Sequence, residues 1–361
     1  MNILLDDGLQ LHIKTGIGSY AQYLGEALAT LPDTTVTRED FAPAGGRRAA
    51  RLSYLKHLNS AAYREKLAAF DVVHYANYAL PKKHLPHTAV AVTVHDLTAF
   101  SHPETLPRAY ALYNRFMVRR AMKHADIIFT VSNAMGEEIC ARFPRAAKKV
   151  MAVHPGHYMG ATEDITPAVY ESEILKGLAK RKFFLFVGTV EKRKNLTELV
   201  RAYNLLQRTC PAAAEYALVL AGREGFGAKA VRDLVSNAPN TADIRLAGFV
   251  SNADRAKLLG EAAAFVFPSI YEGFGSPQTE AMAAALPLIA SDIPTNREVS
   301  GAYAAYYPLG DESALAALMR EVVLGNLKAD PAAAKARLSR YDWLESAAAV
   351  RQALEAACKT K

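Results

Sequence analysis

Short apolar segments recur along this chain in two rounds, and no other feature of the sequence constrains the fold as strongly. Stretches with helical periodicity, such as Ala109–Lys123 and Met135–Arg142, separate several of these segments. Alternation of this kind predicts parallel strands that are joined by crossover helices. The predicted strands are Asn2–Asp6, Asp71–Tyr75, Ala89–Val94, Asp126–Val131 and Val150–Val153 in the first round, and Phe183–Val187, Ala217–Ala221, Ile244–Leu246, Ala264–Phe267 and Leu288–Ala290 in the second.

The stretch from about residue 156 to 181 has no clean apolar alternation and carries glycine, proline and charged residues, as linkers do. A chain of 361 residues is too long for one ordinary α/β core and suits two. We therefore predict an α/β protein with two Rossmann-like, doubly wound domains, at residues 1–165 and 166–340, facing each other across a cleft. Ligands of open α/β sheets bind at the carboxyl ends of the strands, so this cleft is the expected binding site.

The composition, the length of the apolar runs and the cysteine spacing argue against several classes of protein. Hydrophobic residues make up 51% of the chain, yet no apolar run reaches the roughly 18 to 20 residues of a membrane span. The first residues lack the basic leader and the cleavage site of a secretory signal. Cys140, Cys210 and Cys358 are far apart and lack metal-ligand spacing, so we expect neither a disulfide framework nor a metal site. A cytoplasmic location follows as the expectation.

The net charge of +7 is concentrated in the first half. Residues 108–149 contain nine Lys or Arg against three Asp or Glu, and residues 47–66 contain six against one. A solvated basic face, an anionic membrane surface, a phosphorylated substrate and a nucleic acid are all open explanations. Nucleic acid ranks last because no nucleic-acid-binding motif accompanies the charge.

The sharpest motif follows the predicted strand that ends at Phe267 and runs from Ser269 to Glu280. Ser276 and Pro277 suit the N-cap and first position of a helix, whose free N–H groups and dipole favour a diphosphate. Glu280 falls in the first helical turn, where its carboxylate can accept ribose hydroxyls. A plain turn with solvated acids is the alternative for any one residue, but the whole arrangement favours a nucleotide site.

Two further segments also lie just past predicted strands. Gly188 and Thr189 lead into Arg193 and Lys194, cations that can neutralise a pyrophosphate; taken alone, such a charge run is usually a solvated turn. In the first half, His95 follows Ala89–Val94 and can touch sugar hydroxyls or handle protons, although a lone histidine is more often structural.

Together these segments resemble the glycosyltransferase family 4 type of GT-B enzyme. The family's Glu-x-Phe-Gly-x(4)-Glu signature is similar to Glu272 through Glu280, its phosphate loop to Gly188 through Asn195, and its His-Asp motif to His95-Asp96. The glycine pair Gly16 and Gly18 also looks like the family's N-terminal loop. The tail, residues 341–361, resembles a closing helix that crosses back to the first domain. Ala284-Ala285-Leu286 departs from the usual Cys-Gly-x stretch, and the lost glycine is expected to narrow the donor site.

The resemblance implies a role for each of these residues. It implies catalytic roles for His95, Glu272, Arg193 and Lys194, and donor binding by Gly16, Gly18, Gly188, Thr189, Phe249, Val250, Gly273, Phe274, Gly275, Ser276 and Glu280. The implied reaction transfers a sugar from a nucleoside-diphosphate sugar with retention of configuration, and it needs neither a metal nor a cofactor.

The resemblance extends to bacterial mannosyl- and rhamnosyl-type transferases that build surface polysaccharide, such as O-antigen, lipopolysaccharide or capsule, with GDP-mannose among the donors. It implies a glycan or lipid-linked glycan acceptor and, with the basic segments, peripheral contact with the inner face of the cytoplasmic membrane. Two alternatives stay open. One is a nucleotide-sugar epimerase of the same fold, and the other is a nucleotide-sugar-binding protein without turnover.

Overall fold

The computed structural model describes residues 1–8, 16–39, 41, 47–82, 87–157, 170–178 and 182–359. Its contacts divide the chain into two compact units. Unit 1 contains Met1–Ser101, Arg108–Gly156 and Tyr341–Lys361, and unit 2 contains His102–Pro107 and His157–Arg340. The chain therefore leaves the first unit after Gly156 and returns to it at Tyr341. A short excursion, His102–Pro107, belongs to unit 2 although its flanks belong to unit 1.

Unit 1 is a parallel sheet of six strands with the order β2-β1-β3-β4-β5-β6. The strands are short and apolar; all six residues of β4 are buried, as expected where helices cover both faces of a parallel sheet. The strands are β1 (Asn2–Asp6), β2 (Thr35–Arg38), β3 (Val72–Tyr75), β4 (Ala89–Val94), β5 (Ile127–Thr130) and β6 (Val150–Ala152), and the helices are α1 (Gly16–Ala29), α2 (Arg47–Leu58), α3 (Ala61–Leu67), α4 (Thr98–Ser101), α5 (Arg108–His124) and α6 (Asn133–Arg142).

Unit 2 is a second parallel sheet of six strands with the order β12-β11-β10-β7-β8-β9. The strands are β7 (Lys182–Val187), β8 (Tyr216–Ala221), β9 (Ile244–Gly248), β10 (Ala264–Phe267), β11 (Leu288–Ser291) and β12 (Ala305–Tyr307). The helices are α7 (Glu173–Lys176), α8 (Leu196–Thr209), α9 (Ala228–Ser236), α10 (Asn252–Glu261), α11 (Ser276–Ala283), α12 (Pro294–Ser300), α13 (Glu312–Val323) and α14 (Pro331–Leu338).

The last helix, α15 (Trp343–Cys358), belongs to unit 1 and packs on α1. The Trp343 indole stacks on the Tyr23 ring, with 5.7 Å between ring centroids, and meets the Tyr20 ring edge-on at 5.8 Å. A Cβ on Gly156 would lie only 2.4 Å from the same indole, so glycine is required where the chain leaves unit 1. The closing helix is thus anchored by one tryptophan in an aromatic pocket.

The predicted α/β class with two doubly wound, Rossmann-like units is confirmed. Strands β1, β4 and β10 have the predicted bounds, and the other predicted strands differ by at most two residues at either end. Two edge strands, β2 and β12, are missing from the prediction. The residues of β2 alternate between exposed and half-buried positions, so this strand lacks the apolar run that marks its neighbours.

Candidate functional site

The candidate site lies in unit 2 at the carboxyl ends of two neighbouring strands, β7 and β10. The chain winds from β7 through β8 to β9 on one side of β7, and then returns to place β10 on the other side. This reversal is a topological switch point, where the loops leaving the two strands diverge and leave room for a ligand. The loop after β7 carries Gly188 to Asn195, and the loop after β10 carries Ser269 to Gly275.

A buried carboxylate joins the two loops. Glu272 is 5% exposed, and its two oxygens accept from different cations. The Arg193 Nη1 atom lies 2.8 Å from Glu272 Oε2, and the Lys194 Nζ atom lies 2.5 Å from Oε1. Burial raises the pKa of the Glu272 carboxyl, but the charges of Arg193 and Lys194 outweigh it and lower this pKa to about 2. The carboxylate is therefore ionised across the physiological pH range.

Arg193 is held by three oxygens from two segments. Besides Glu272, its Nη1 atom donates to the carbonyl of Tyr271 at 2.7 Å, and its Nη2 atom donates to Glu191 Oε1 at 2.9 Å. The short 3₁₀ helix Lys192–Lys194 presents these cations and ends at Asn195, whose φ of 53° lies in the left-handed region. Asparagine tolerates that region better than most residues, so the turn into α8 suits its sequence.

The loop after β7 is braced by the loop after β8. Val190 donates its N–H to the Arg223 carbonyl at 2.9 Å, and Gly225 donates its N–H to the Val190 carbonyl at 2.8 Å. A Cβ on Gly222 would lie 1.8 Å from the carbonyl oxygen of Gly188, so only glycine allows the two backbones to approach this closely. Thr189, a predicted donor-binding residue, is exposed at this edge.

Helix α11 begins beside Glu272, one residue earlier than predicted. Gly275, with a φ of 85°, is the N-cap, and Ser276 is the first helical residue; the prediction that Ser276 caps the helix is therefore wrong. A left-handed cap is a conformation that glycine adopts without strain. Gly273, Phe274 and Gly275 are buried beside Glu272 in this loop. Glu280 consequently lies in the second turn rather than the first.

Glu280 has a partner that sequence reasoning missed. Arg255, in the first turn of α10, donates its Nη2 atom to Glu280 Oε2. Glu280 is 8% exposed, and burial raises the pKa of its carboxyl although Arg255 lowers it. The local sequence around Arg255 indicates a helix start, because Ser251 caps α10. That local signal does not predict a contact with a residue 25 positions further along the chain.

Phe249 and Val250, predicted to meet the nucleobase, follow β9 at the same edge of the sheet. Val250 is buried, whereas the Phe249 side chain is 60% exposed. The Arg223 guanidinium lies over the Phe249 ring, 4.4 Å from its centroid. Such an exposed ring beside a planar cation is a suitable stacking surface for another ring. Arg223 was not predicted, because it lies in a different loop from Phe249.

Two predicted residues, Gly16 and Gly18, belong to unit 1, and the structure corrects their setting. They lie in the first turn of α1 and not in a loop, while residues 9–15 fall outside the described chain. Helix α1 also carries Tyr20, whose ring meets the His95 imidazole edge-on at 4.9 Å. The glycine pair and His95 are thus on neighbouring elements of one unit.

His95 follows β4 as predicted. Its Nε2 atom lies 2.8 Å from the Ala76 carbonyl, and because a carbonyl only accepts, Nε2 carries the proton. Burial lowers the pKa of the imidazole, although this hydrogen bond and the nearby Asp96 raise it. The neutral ring therefore has Nδ1 as its acceptor. Asp96 accepts from the Thr98 N–H at 2.9 Å. Asp96 therefore caps the turn that follows it.

The expectation that Ala285 narrows the donor site does not hold. Ala285 follows the C-cap of α11, where it adopts a left-handed φ of 49°. Helix α11 has eight residues, so this end lies about 12 Å from its first residue. The family's glycine thus corresponds to a helix C-terminus, a position where glycine avoids backbone strain.

The described residues offer neither a metal-binding cluster nor a membrane-spanning helix. Within the described residues, no cluster of three or more His, Cys, Asp or Glu side chains is arranged to hold a metal ion. None of the described helices combines the length and the hydropathy that crossing a bilayer requires.

Comparison with known proteins assigns the chain to a family. Residues 15–157 match the model described as Glycosyltransferase Family 4, and residues 172–338 match the model described as Glycosyl transferases group 1. The chain belongs to glycosyltransferase family 4. The second match covers Arg193, Glu272 and Glu280, and the first covers His95, Gly16 and Gly18. The resemblance drawn from the motifs is thereby confirmed.

A relative by sequence agrees with this assignment, and two solved structures share the fold. O-antigen chain mannosyltransferase B from Escherichia coli is 30% identical over 230 residues, which are 62% of this chain and 59% of that protein. The match thus spans less than two thirds of the relative's length. Sucrose-phosphate synthase from Thermosynechococcus elongatus has a similar fold, with a TM-score of 0.72, 17% identity and coverage of 98% of both chains. WaaG, a glycosyltransferase involved in lipopolysaccharide biosynthesis, aligns with a TM-score of 0.70, 14% identity, and coverage of 97% of this chain and 99% of WaaG.

Proposed function

We propose that this chain is a retaining glycosyltransferase that uses a nucleoside-diphosphate sugar. The observation that carries the proposal is the buried Glu272 carboxylate, held by Arg193 and Lys194 at the switch point of unit 2. Two cations and a helix N-terminus converge there on one place at a sheet edge. This combination suits a diphosphate, whose charge both the guanidinium and the ammonium group stabilise.

The reaction breaks the bond between the anomeric carbon and the diphosphate oxygen, and an acceptor hydroxyl forms the new bond and gives up its proton. Negative charge grows on the leaving diphosphate. Arg193 and Lys194 stabilise that charge, so the proposed reaction requires no metal and no cofactor. Glu272, together with the backbone of Gly273 to Gly275, then holds the donor sugar, and Glu280 holds the ribose.

The remaining predicted residues complete the donor site in this proposal. Gly188, Thr189 and Ser276 meet the phosphates, and Phe249 with Val250 meets the base. In unit 1, His95 contacts the transferred sugar through its Nδ1 side, and Gly16 and Gly18 approach the phosphates at the start of α1.

The favoured sugar is a hexose of the mannose or rhamnose type. The name of the Escherichia coli relative, O-antigen chain mannosyltransferase B, supports a mannose-type donor such as GDP-mannose. That name and the role of WaaG in lipopolysaccharide biosynthesis also support an acceptor that is a growing polysaccharide or a lipid-linked glycan. Because such acceptors are held at a membrane, we also propose that the protein works in the cytoplasm at the inner membrane face.

A thermal-shift experiment tests the donor site without knowledge of the acceptor. Purified protein is melted with GDP, UDP, dTDP, ADP or CMP, each with and without EDTA. A ligand at 100 times its Kd adds about 2.7 kcal/mol to the free energy of unfolding, which visibly raises the melting temperature. We expect one diphosphate to stabilise the protein with EDTA present.

Variants assign that shift to the site. Glu280→Gln should abolish the shift, whereas Glu215→Gln, at an exposed acid of unit 2, should keep it. Stabilisation that persists in Glu280→Gln would contradict the assignment of the ribose contact. Stabilisation that EDTA removes would contradict metal independence. Turnover is tested separately by the release of nucleoside diphosphate from GDP-mannose and other nucleotide sugars; release of an isomerised free sugar would indicate an epimerase.

A further inference from the structure

Two contacts from different elements of unit 1 hold the imidazole of His95. Its Nε2 atom donates to the Ala76 carbonyl at 2.8 Å. The Tyr20 ring of α1 meets the imidazole edge-on, with 4.9 Å between ring centroids and 88° between ring planes. A single hydrogen bond leaves an imidazole free to swing about that bond, whereas an edge-on aromatic pair has a preferred geometry. The Tyr20 ring therefore controls the direction in which the Nδ1 side of His95 points.

Tyr20 is itself buried, and its hydroxyl has only a weak partner. The hydroxyl oxygen lies 3.4 Å from Thr93 Oγ1 on β4. Hydroxyl groups that share a hydrogen bond are usually about 2.7–2.8 Å apart, so this contact contributes little. Thr93 Oγ1 has a closer partner, the His74 Nε2 atom, at 2.8 Å. The ring of Tyr20, rather than its hydroxyl, is thus the part that acts on His95.

The closing helix α15 supports Tyr20 from another side. Trp343, the first residue of α15, meets the Tyr20 ring with 5.8 Å between centroids and 60° between planes. The Trp343 indole is held in turn by the stacked ring of Tyr23, which follows Tyr20 by about one turn of α1. A chain of ring contacts therefore runs from α15 through Tyr20 to His95, entirely within unit 1.

We propose that Tyr20 is a positioning residue for His95 and that Trp343 keeps Tyr20 in place, so that α15 serves the reaction as well as the fold. The inference rests on the proposed function, in which the Nδ1 side of His95 contacts the transferred sugar. A misplacement of about 1 Å near the reacting carbon can cost about 100-fold in rate. Because the diphosphate, ribose and base of the donor are assigned to unit 2, a displaced imidazole lowers kcat and leaves the KM for the donor nearly unchanged.

Release of GDP from GDP-mannose by the purified protein measures the effect on the reaction. Tyr20→Leu removes the aromatic edge and should lower kcat by about 10- to 100-fold, with a donor KM within about twofold of the wild type. Tyr20→Phe keeps the ring and should stay within about twofold in kcat, because the lost hydroxyl contact is weak. Trp343→Leu acts one contact further away and should lower kcat by about 3- to 10-fold.

The matched control is Phe143→Leu. Phe143 forms an edge-on pair with Phe100 in the same unit, with 5.5 Å between centroids and 88° between planes. Neither ring belongs to the chain of contacts that ends at His95. Phe143→Leu should therefore keep the kcat of the wild type, although it also removes an aromatic pair from unit 1.

Nuclear magnetic resonance of protein labelled with ¹⁵N-histidine tests the positioning without turnover. The His95 signals are identified by their loss in His95→Asn. We expect the Nε2-protonated tautomer in the wild type, Tyr20→Phe and Phe143→Leu, because the Ala76 carbonyl accepts that proton. In Tyr20→Leu we expect a mixture of the two tautomers, since the imidazole no longer stays on this carbonyl. A purely structural role for Tyr20 would lower stability and leave the tautomer unchanged.

Two further measurements show whether the variants keep their structure. Circular dichroism reports on folding, and the fluorescence of Trp343, the one tryptophan of the chain, reports on the seating of α15. The emission should move to longer wavelength in Tyr20→Leu, as the indole loses a partner and meets water, and stay unchanged in Tyr20→Phe. If Tyr20→Leu does not fold, Trp343→Leu carries the same test at a half-buried position.

The two kinds of readout separate this inference from the proposed function. An unchanged His95 tautomer in folded Tyr20→Leu, or in its substitute Trp343→Leu, would overturn the inference even if kcat fell. A changed tautomer with an unchanged kcat would confirm the positioning of the imidazole and contradict its contact with the sugar. If the wild type released no GDP, the tautomers would still decide whether Tyr20 positions His95.

Discussion

The two units have related topologies, but the carboxylates at their switch points have different partners: neutral donors in unit 1 and cations in unit 2. In unit 1 the winding reverses between β1 and β3, and the buried Asp6 ends β1 there. Asp6 accepts from the hydroxyls of Tyr54 at 2.7 Å and Tyr63 at 2.6 Å, and from the Gly8 N–H at 2.7 Å. In unit 2 the carboxylate at the switch point is Glu272, in the loop after β10, and it accepts from two cations, Arg193 and Lys194.

The pKa values of the two acids show what this difference means. Burial raises the pKa of Asp6 to about 6, although its hydrogen bonds lower it, because neutral donors do not compensate for lost hydration. The pKa of Glu272 instead falls to about 2, since two positive charges outweigh burial. The same sheet edge thus holds a carboxylate in a neutral network in one unit and in a cationic one in the other. Of these two networks, the unit 2 network suits a diphosphate.

The largest expected effect comes from neutralising the acid in the cationic network. Glu272→Gln should lower the free energy of unfolding by about 3–5 kcal/mol, because it leaves the buried Lys194 without its counter-charge. Thermal melting of unit 2 should show a fall on the order of 10 °C. Inorganic pyrophosphate should restore part of the loss by supplying negative charge. The contrast between the two units would be wrong if Asp6→Asn lowered the free energy of unfolding by the same amount. It would also be wrong if pyrophosphate restored the stability of Asp6→Asn equally well.

The next effect separates the two networks by ligand affinity. Lys194→Met should weaken binding of the preferred nucleoside diphosphate by about 10- to 100-fold, which corresponds to one charge-assisted hydrogen bond. Titration calorimetry measures this directly. Lys229→Met, at an exposed lysine of unit 2, and Tyr63→Phe, in the network of unit 1, should both leave the affinity unchanged. A comparable loss in Tyr63→Phe would show that the unit 1 network also contributes to the anion site.

Acid pH should affect the two carboxylates in opposite directions. The Asp6 pKa is higher in the folded state than in the unfolded state, so the contribution of Asp6 to the stability of unit 1 grows as pH falls through 6. The buried His74 and His95, whose pKa values burial lowers, reduce the stability of the same unit over this range. Asp6 is therefore isolated by comparing the wild type with Asp6→Asn, and we expect the difference in favour of the wild type to grow by about 1 kcal/mol between pH 7 and pH 5. The Glu272 pKa is lower than in the unfolded state, so its contribution is complete above about pH 4.5 and is lost toward pH 2. Melting curves of the wild type, Asp6→Asn and Glu272→Gln from pH 7 to 3 check these signs; a wild-type advantage over Asp6→Asn that shrinks between pH 7 and 5 would contradict the first of them.

The smallest effect concerns backbone strain. Both units contain a non-glycine residue in the left-handed region, Asp33 in unit 1 and Ala285 in unit 2. Aspartate tolerates this region, whereas alanine is strained there by roughly 1–2 kcal/mol. Ala285→Gly should therefore stabilise unit 2 by about 0.5–1 kcal/mol, after the flexibility of glycine in the unfolded chain is subtracted. Asp33→Gly is the control and should give no such gain in urea or thermal unfolding. Destabilisation by Ala285→Gly would show that the alanine methyl makes a packing contribution larger than the strain.

The predictions from sequence succeeded where the signal is local. Apolar strands such as β4 and β10 are buried on both faces, so their bounds follow from uninterrupted apolar runs. The signature residues follow strands directly, which places Glu272 and Arg193 at a sheet edge once the sheet is parallel. Helix caps were less predictable, because both Gly275 and Ser276 suit a helix start and the loop geometry selects between them. The edge strands β2 and β12 lack a strong run and were missed.

The sequence by itself determined two α/β units, the strands of each core, and the family to which the chain belongs. Its local patterns are uninterrupted apolar runs in the strands and a period of 3.6 residues in the helices, and these patterns decide which residues are buried. Only the tertiary structure decided the partners of the charged groups. Arg193 reaches Glu272 across 79 positions of sequence, and Arg255 reaches Glu280 across 25, through strands that pair side by side. Distances of that kind depend on sheet order and loop course, which no local pattern encodes.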